Sequence, residues 1–321
     1  MIMAGKHKFL RLSDSAHLPV HLRGAVIAIG NFDGVHKGHQ KVLQTALTQA
    51  RKTGRPALVF TFEPHPRTFF KPEQPVYRLT TAAQKAAYFK IMGFDAVIEQ
   101  PFTAAFATLS ASDFIQSVLQ DRLAAGAIIA GSNFHFGHKR QGTPAFLQQA
   151  GRDSGFITVL VAGKKDKTGK IISSSRIRTL LEAGEIREAE ALLGHPYTVQ
   201  GKIIRGHALG RQLGFPTANM ALSAATKLRY GIYAVYFRLS GKSYQAVASF
   251  GRRPTIENAG KPLLESFIFD FDQDIYGKQT EVLFVGFLRG EEKFAGTKEL
   301  IAQMHKDAIA AKAVLAAQAL P

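Results

Sequence analysis

From about residue 24 to residue 180, short apolar runs alternate with longer amphipathic stretches. The runs "AVIAIG", "PALVFTF", "DAVIEQ", "AGAIIAG" and "FITVLVA" are rich in Val, Ile and Phe and too short for helices, which predicts strands. Between them, "KVLQTALTQARKT", "TAAQKAAYFKIMG" and "SASDFIQSVLQDRLA" repeat apolar residues at close to 3.6 positions, which predicts helices. Strand–helix alternation of this kind predicts an α/β domain, a Rossmann-like parallel sheet with helices on both faces. Ligands of such folds sit at the carboxyl ends of the strands.

The pattern changes after "IRTLLEAGEIREAEALLGHP". From Tyr197 onward "YTVQGKII", "YGIYAVYFRL", "SYQAVASFG", "LLESFIFDF" and "QTEVLFVGFL" follow one another with turns and no intervening helices, which predicts an antiparallel β-barrel. One last helix is expected over "GTKELIAQMHKDAIAAKAVLAAQ". The boundary is expected between Ala183 and Pro196, giving domains of residues 1–185 and 186–321, with no internal repeat or low-complexity segment.

Composition adds less. A length of 321 residues favours two domains. No apolar run approaches the roughly 18 residues of a membrane span, and the start lacks the apolar core of a signal peptide. With no cysteine, disulfide and thiolate chemistry are excluded and a cytoplasmic location is expected. A net charge of +17 draws polyanions, but "KHKFLR", "KKDKTGK" and "GRRP" are short and dispersed. Phosphorylated small molecules therefore suit the chain better than nucleic acid, and no membrane partner is expected; a homo-oligomer is left open.

Candidate chemistry begins at "GNFDGVHKGHQ", between the first long strand and its helix. The opening of a helix is a natural anion site, since its first backbone N–H groups point outward. Gly34 and Gly38 let a ligand approach the backbone, while His36 and His39 offer ring donors suited to charge growing on an α-phosphate during nucleotidyl transfer. The usual nucleotide loops are missing: "GKKDKTGKI" lacks the spacing and hydroxyl of a P-loop, there is no GxGxxG, and Pro19 breaks the i,i+4 histidines of "HLPVH". Later, "ISSSRIR" gathers Ser174, Ser175, Arg176 and Arg178 at a helix start. Ser174 or Ser175 is expected to cap that helix, and two guanidiniums together suit a pyrophosphate leaving group.

These residues carry a resemblance. An HxGH near the start and a late SSxRIR look like the nucleotidyltransferase superfamily. The longer series "GNFDGVHKGHQ", "FTFEPHPRTF", "AGSNFHFGHKRQG" and "ISSSRIRTLLEAGEIREAEALLGHPY" is similar to the adenylyltransferase half of the prokaryotic bifunctional riboflavin kinase/FAD synthetase family. "GKIIRGHALGRQLGFPTANM", "FGRRPT", "ESFIFDFDQDIYG" and "LRGEEKF" resemble its kinase half, so the likeness covers nearly the whole chain.

The resemblance implies riboflavin, FMN, FAD and ATP as ligands, with Mg²⁺ accompanying ATP. Gly206, Gly210 and Gly214 would form a loop over phosphates with Arg211 as counter-charge. Pro216 would present Thr217 and Asn219 as hard oxygen ligands to the metal. Glu265 takes the family's catalytic base, required because a ribityl hydroxyl must lose a proton to attack, whereas the phosphate of FMN arrives already ionised. Asn133 and the segment Glu63 to Pro66 are expected to line the nucleotide and flavin pocket of the first half. The chain departs from the pattern at Phe267, where the family often has His, at Ser249 and Phe250 before "GRRPT", and at Ser175 in place of a common Thr.

Overall fold

The computed structural model describes residues 8–206, 210, 213–252 and 262–317. By density of internal contacts it divides between Ser173 and Ser174. The division expected from sequence, at 185/186, falls instead between two helices that both count with the second unit.

The first unit is a six-stranded sheet: β1 (Leu10–Leu12), β2 (Val26–Ile29), β3 (Ala57–Glu63), β4 (Ala96–Pro101), β5 (Ala127–Gly131) and β6 (Ile157–Val161). The spatial order is β1-β4-β3-β2-β5-β6, with every pair parallel. All four residues of β2 are buried, as a parallel strand covered on both faces requires. Alternate side chains serve opposite layers. Val26, Ala28 and Val59 meet α1 (Lys37–Thr53) and α3 (Ala82–Met92), α2 being the short Pro66–Phe70. Ile27, Ile29 and Phe60 pack with Phe114, Ile115, Val118 and Leu119 on the other face. Each of the larger of these side chains (Val, Ile, Leu, Phe) contributes roughly 1.5–3 kcal/mol by leaving water.

Three elements differ from expectation. The helix predicted at 110–124 follows the brief α4 (Ala104–Ala107), starts as α5 (Ala111–Asp113) and continues as a π-helix, Phe114–Arg122. The pairs Phe114/Ile115 and Val118/Leu119 lie four apart, a spacing that both helix types keep on one face, so periodicity cannot separate them. Helix α6 (Pro144–Ser154) was not anticipated, although Thr143 caps it, Pro144 opens it and Gly155 ends it in the left-handed region. The three-residue β1 is too short to leave a periodic signal.

The second unit opens with α7 (Ser174–Ala183) and α8 (Ile186–Leu193). A closed barrel follows: β7 (Tyr197–Ile204), β8 (Thr217–Ala221), β9 (Gly231–Leu239), β10 (Lys242–Arg252), β11 (Pro262–Ile268) and β12 (Gln279–Arg289), in the order β10-β11-β8-β7-β12-β9. Sequence pattern gave five strands; β8 is the sixth and closes the ring between β7 and β11. Thr217 and Asn219 therefore lie on a strand rather than in a turn. Helix α9 (Thr297–Ala316) covers one outer wall, where Ala311 and Leu315 join Tyr236, Val247, Leu283 and Val285. The Tyr236 hydroxyl donates to the Leu315 carbonyl at 3.2 Å and fastens the helix end.

Candidate active sites

The turn from β2 into α1 is built on left-handed backbone. Phe32, Gly34 and Val35 have φ of 50°, 84° and 39°, which costs two of them conformational energy and is sustained by neighbours. The Phe32 ring, 2% exposed, packs edge-on to Phe89. Asp33 is as deeply buried, and its Oδ1 accepts from the Leu79 and Thr80 amides at 3.0 and 3.1 Å. The Gly34 amide donates to Thr80 Oγ1 at 2.9 Å. The loop ahead of α3 thus holds the turn in shape.

His36 then caps α1. Its Nδ1 accepts from the amides of Gly38 (3.1 Å) and His39 (3.2 Å). Two of the backbone donors that the sequence offered to an anion are therefore satisfied within the protein, which corrects that expectation. The same bonds place the lone pair on Nδ1 and the hydrogen on Nε2. A Cβ on Gly38 would lie 3.0 Å from the His36 ring and 3.4 Å from the Ile172 carbonyl, so glycine admits both. His39 stacks on His36, centroids 3.6 Å apart, with its other side against the edge of Phe32. Its Nδ1 is buried with no hydrogen-bond partner among the described residues. Burial above all, then the adjoining His36 and the Lys85 ammonium, pushes its pKa well below the usual imidazole value, so His39 is neutral at pH 7. It acts as a polar, uncharged ring.

An ion cluster lies at the end of β3. Glu63 accepts from Arg78 Nη1 and Nη2 at 2.9 and 2.8 Å and meets Lys85 Nζ at 3.0 Å. Lys85, 2% exposed, also donates to the Asn31 carbonyl at 3.2 Å and Thr61 Oγ1 at 3.1 Å. Glu63, expected to line the pocket, is engaged with these two cations. His65 in the same segment caps α2, its Nδ1 accepting from the Arg67 amide at 3.2 Å.

Burial alone would raise the Glu63 pKa, but the Arg78 hydrogen bonds and the Lys85 and Arg78 charges take it down from 4.5 to about 2. A depressed folded-state pKa gives stability that is present above the unfolded value and lost as pH falls through the folded one. The contribution is roughly 3 kcal/mol at neutral pH. Urea unfolding of the first unit should accordingly weaken between pH 4.5 and about 2, and Glu63→Gln should flatten that limb.

Asn133 lies two residues beyond the end of β5, exposed, with its Oδ1 2.9 Å from the place a Gly131 Cβ would take. Strands β2 and β5 are neighbours in the sheet, while the chain leaves β2 through α1 toward β3 on the other side. Their carboxyl ends form the topological switch point, where open α/β sheets take ligands. Gly34, His36, Gly38, His39 and Asn133 all follow these two ends. Ser174, Ser175, Arg176 and Arg178 occupy the first turns of α7, which counts with the second unit. That helix begins at Ser174. The hairpin leading to it is tied at Asp166, whose Oδ1 accepts from the Thr168 and Lys170 amides.

In the barrel, register decides the second site. Glu265 on β11 faces Asn219 on β8 and Ser249 on β10, and Phe267 faces Thr217. Strand alternation puts Thr217, Asn219, Glu265 and Phe267 on one face, the outer wall that α9 overlies. A cavity of about 320 Å³ opens there, lined by Thr217, Ser249, Glu265, Phe267, Arg289 and Asp307 among others. Asn219 is 5% exposed, and its Nδ2 donates to the Thr217 carbonyl at 3.2 Å, while its Oδ1 is buried with no partner among the described residues. A Cβ on Gly206 would come within 2.6 Å of that Nδ2, and one on Gly210 within 2.3 Å of the Phe215 carbonyl. These glycines let the chain lie against Asn219 and Phe215. Gly214 has φ 83°. Arg211, and Arg253 to Thr255 of "GRRPT", lie outside the described residues.

Phe267 packs T-shaped on Phe215, which in turn meets His305 of α9, both at 4.9 Å. Sequence reasoning missed the charged anchor beside them. Arg289 Nε and Nη2 donate to Asp307 Oδ1 and Oδ2 at 2.8 and 2.7 Å, tying β12 to α9 at the cavity wall. An acid on the alanine-rich buried side of the last helix was the available signal. On the other side of the chain, Asp33, Arg78, Thr80 and Lys85 were missed as well.

Residues 18–176 match the family model described as FAD synthetase, and residues 193–315 the one described as riboflavin kinase. A Pseudomonas fluorescens protein described as a bifunctional riboflavin kinase/FMN adenylyltransferase is 40% identical over 94% of this chain and 96% of its own length. The Escherichia coli (strain K12) protein of the same description is 37% identical over 90% and 92%. A Streptococcus pneumoniae crystal structure described as a macrolide-efflux protein shares the fold with a TM-score of 0.83 at 30% identity, covering 95% of this chain and 98% of its own. Among the described residues here, no helix is long and apolar enough to cross a membrane. Two domain models in succession, and relatives aligned almost end to end, show that the chain belongs to the bifunctional riboflavin kinase/FMN adenylyltransferase family.

Proposed function

We propose that this chain makes FAD in two steps at two separate sites. In the barrel, the ribityl hydroxyl of riboflavin attacks the γ-phosphate of ATP, giving FMN and ADP. In the α/β unit, a phosphate oxygen of FMN attacks the α-phosphate of a second ATP, giving FAD and pyrophosphate. The observation that carries the reading is the pairing of Glu265 with Asn219 across β11 and β8, beside a cavity lined by Thr217. A carboxylate that can take a proton and two oxygen ligands of the kind a hard cation selects stand on one wall.

The orphaned Asn219 Oδ1 and the Thr217 hydroxyl fit Mg²⁺. Bound with ATP, the ion would screen the charge of the transferring phosphoryl group. Glu265 accepts the hydroxyl proton, and Gly206, Gly210, Arg211 and Gly214 cover the phosphates. Phe267 and Phe215 offer an apolar wall to the flavin ring in place of the imidazole that the family often carries. In the first unit the Nε2–H of His36 and the ring of His39 face the charge that develops on the α-phosphate, with Gly34 and Gly38 allowing its approach. Ser174, Ser175, Arg176 and Arg178 hold the leaving pyrophosphate, and Asn133 with Glu63 to Pro66 borders the nucleotide and flavin. No carboxylate base is needed there, because the attacking oxygen is already anionic. On this reading the work divides near residues 185/186, and a reaction that consumes ATP twice suits a cytoplasmic enzyme.

Purified protein given riboflavin, ATP and Mg²⁺ should accumulate FMN first and FAD later, with ADP and then pyrophosphate released, as read by separating the flavins over time. A carrier without turnover would bind the flavins and leave ATP intact.

A further inference from the structure

The cluster at the end of β3 contains a group for which phosphate chemistry at the neighbouring turn has no direct use. Lys85 is on the first turn of α3, sealed from solvent, and its ammonium meets three acceptors, one on the turn after β2 and two on β3: the Asn31 carbonyl, Thr61 Oγ1 and Glu63 Oε1. Three acceptors match the three donors of an ammonium. Asn31 begins the strained turn that ends in His36, whereas Thr61 and Glu63 close β3. Thr61 Oγ1 also donates to the Asn31 carbonyl at 3.1 Å, so the lysine and the threonine share that oxygen.

We propose that the Lys85 ammonium is a positioning group for adenylyl transfer, locking the turn that carries His36 and His39 against the end of β3 and supplying a fixed positive charge behind their rings. The inference rests on the adenylyl-transfer reading of the first unit and names what keeps that site in working shape. Glu63 does not need this lysine to be satisfied. Arg78 donates to both of its oxygens, so a third partner on Oε1 exceeds what pairing the carboxylate requires. Among the described residues, Lys85 is what links α3 to the Asn31 carbonyl. Its charge reaches further: burial first, then the stacked His36, keep His39 in the neutral form, and the Lys85 ammonium adds to both in the same direction. Asp33 and Glu63 on one side and Arg78 on the other are the remaining charges of the cluster. A neutral His39 puts no charge against the stacked His36 ring 3.6 Å away, which keeps its Nε2–H as the donor.

Lys85→Met conserves volume and leaves the Glu63–Arg78 pair intact. FAD formation from supplied FMN should fall about 10²-fold in kcat, the scale of a 1 Å misplacement, while the KM for FMN changes less than about threefold. Riboflavin phosphorylation by the same chain should be unchanged. The His39 ring titration, followed by NMR without turnover, should move upward once the neighbouring charge is gone. Adenylyl transfer within about threefold of the parent, or a slow variant whose His39 titration stays in place, would overturn the proposal. Should Lys85→Met not fold, Thr61→Val carries the test: it removes the oxygen shared by Lys85 and Asn31, a loss of about tenfold in FAD formation is expected, and an unchanged rate overturns the proposal. A parent enzyme that forms no FAD would instead refute the reading of the site, and the titration would still report on the lysine.

Discussion

Glu265→Gln should slow the conversion of riboflavin to FMN by about 10²–10⁴-fold, the usual contribution of a positioned general base, and leave FAD formation from supplied FMN at its parent rate. A primary hydroxyl is a poor nucleophile until its proton has somewhere to go, and Glu265 is the carboxylate that shares a strand face with Thr217 and Asn219. Glutamine keeps the size of the side chain and can bond to the same neighbours, so the strand register with Asn219 and Ser249 should survive. The KM for riboflavin should stay within a few-fold, because the carboxylate acts on the reacting oxygen rather than on the ring. Initial rates with riboflavin and with FMN, measured on one preparation, separate the two steps. Loss of both would mean that the sites are coupled or the fold is damaged, and loss of neither would leave the hydroxyl proton with another acceptor.

How much of this was readable in advance depends on the range of the interaction concerned. The parallel sheet announced itself because its strands are buried on both faces and so appear as unbroken apolar runs, β2 and β5 most plainly. The HxGH turn was readable for a similar reason, since a strand, a glycine-rich turn and a helix follow in direct succession. β8 was not, because "GFPTAN" has the composition of a turn and its strand character comes from partners on β7 and β11 far along the chain. The frame around the histidines was hidden for the same reason. Lys85 sits 54 residues from Asn31 in the chain, and Asp33 lies 46 from Leu79. A lysine in an amphipathic helix reads as solvated until its three acceptors are seen. Arg289 and Asp307 were missed although only 18 positions apart, because each belongs to a different periodic element and neither pattern refers to the other.

The two sites also differ in how they handle charge. Among the described residues, the barrel cavity is lined by Glu265, Glu291, Glu292 and Asp307 and by one arginine, Arg289, which is paired with Asp307. The triphosphate of ATP would meet a net negative lining among the described residues there, and a cation arriving with ATP would offset that repulsion in the proposed kinase step. The HxGH turn needs less help. The charges packed behind it, Asp33, Glu63, Arg78 and Lys85, pair with one another, and its two imidazole rings are held by the cap and the stack.

His36 does two jobs that substitution can separate. As the cap of α1 it satisfies the amides of Gly38 and His39, the second and third helical positions; through Nε2–H it would stabilise charge on the α-phosphate. His36→Ala removes both, and FAD formation should fall about 10²–10³-fold, as for loss of one oxyanion-type donor, with about 1 kcal/mol lost from the first unit by loss of the cap. His36→Asn divides the roles. Asparagine is among the best cap residues and its Oδ1 can take the same two amides, but its short side chain cannot place a donor where Nε2 stands. Stability should therefore return in urea unfolding while FAD formation stays at the alanine level. Riboflavin phosphorylation should be untouched in both. If asparagine restored the rate along with the stability, His36 would be a cap and nothing more, and the α-phosphate would have to find its donor elsewhere on the turn.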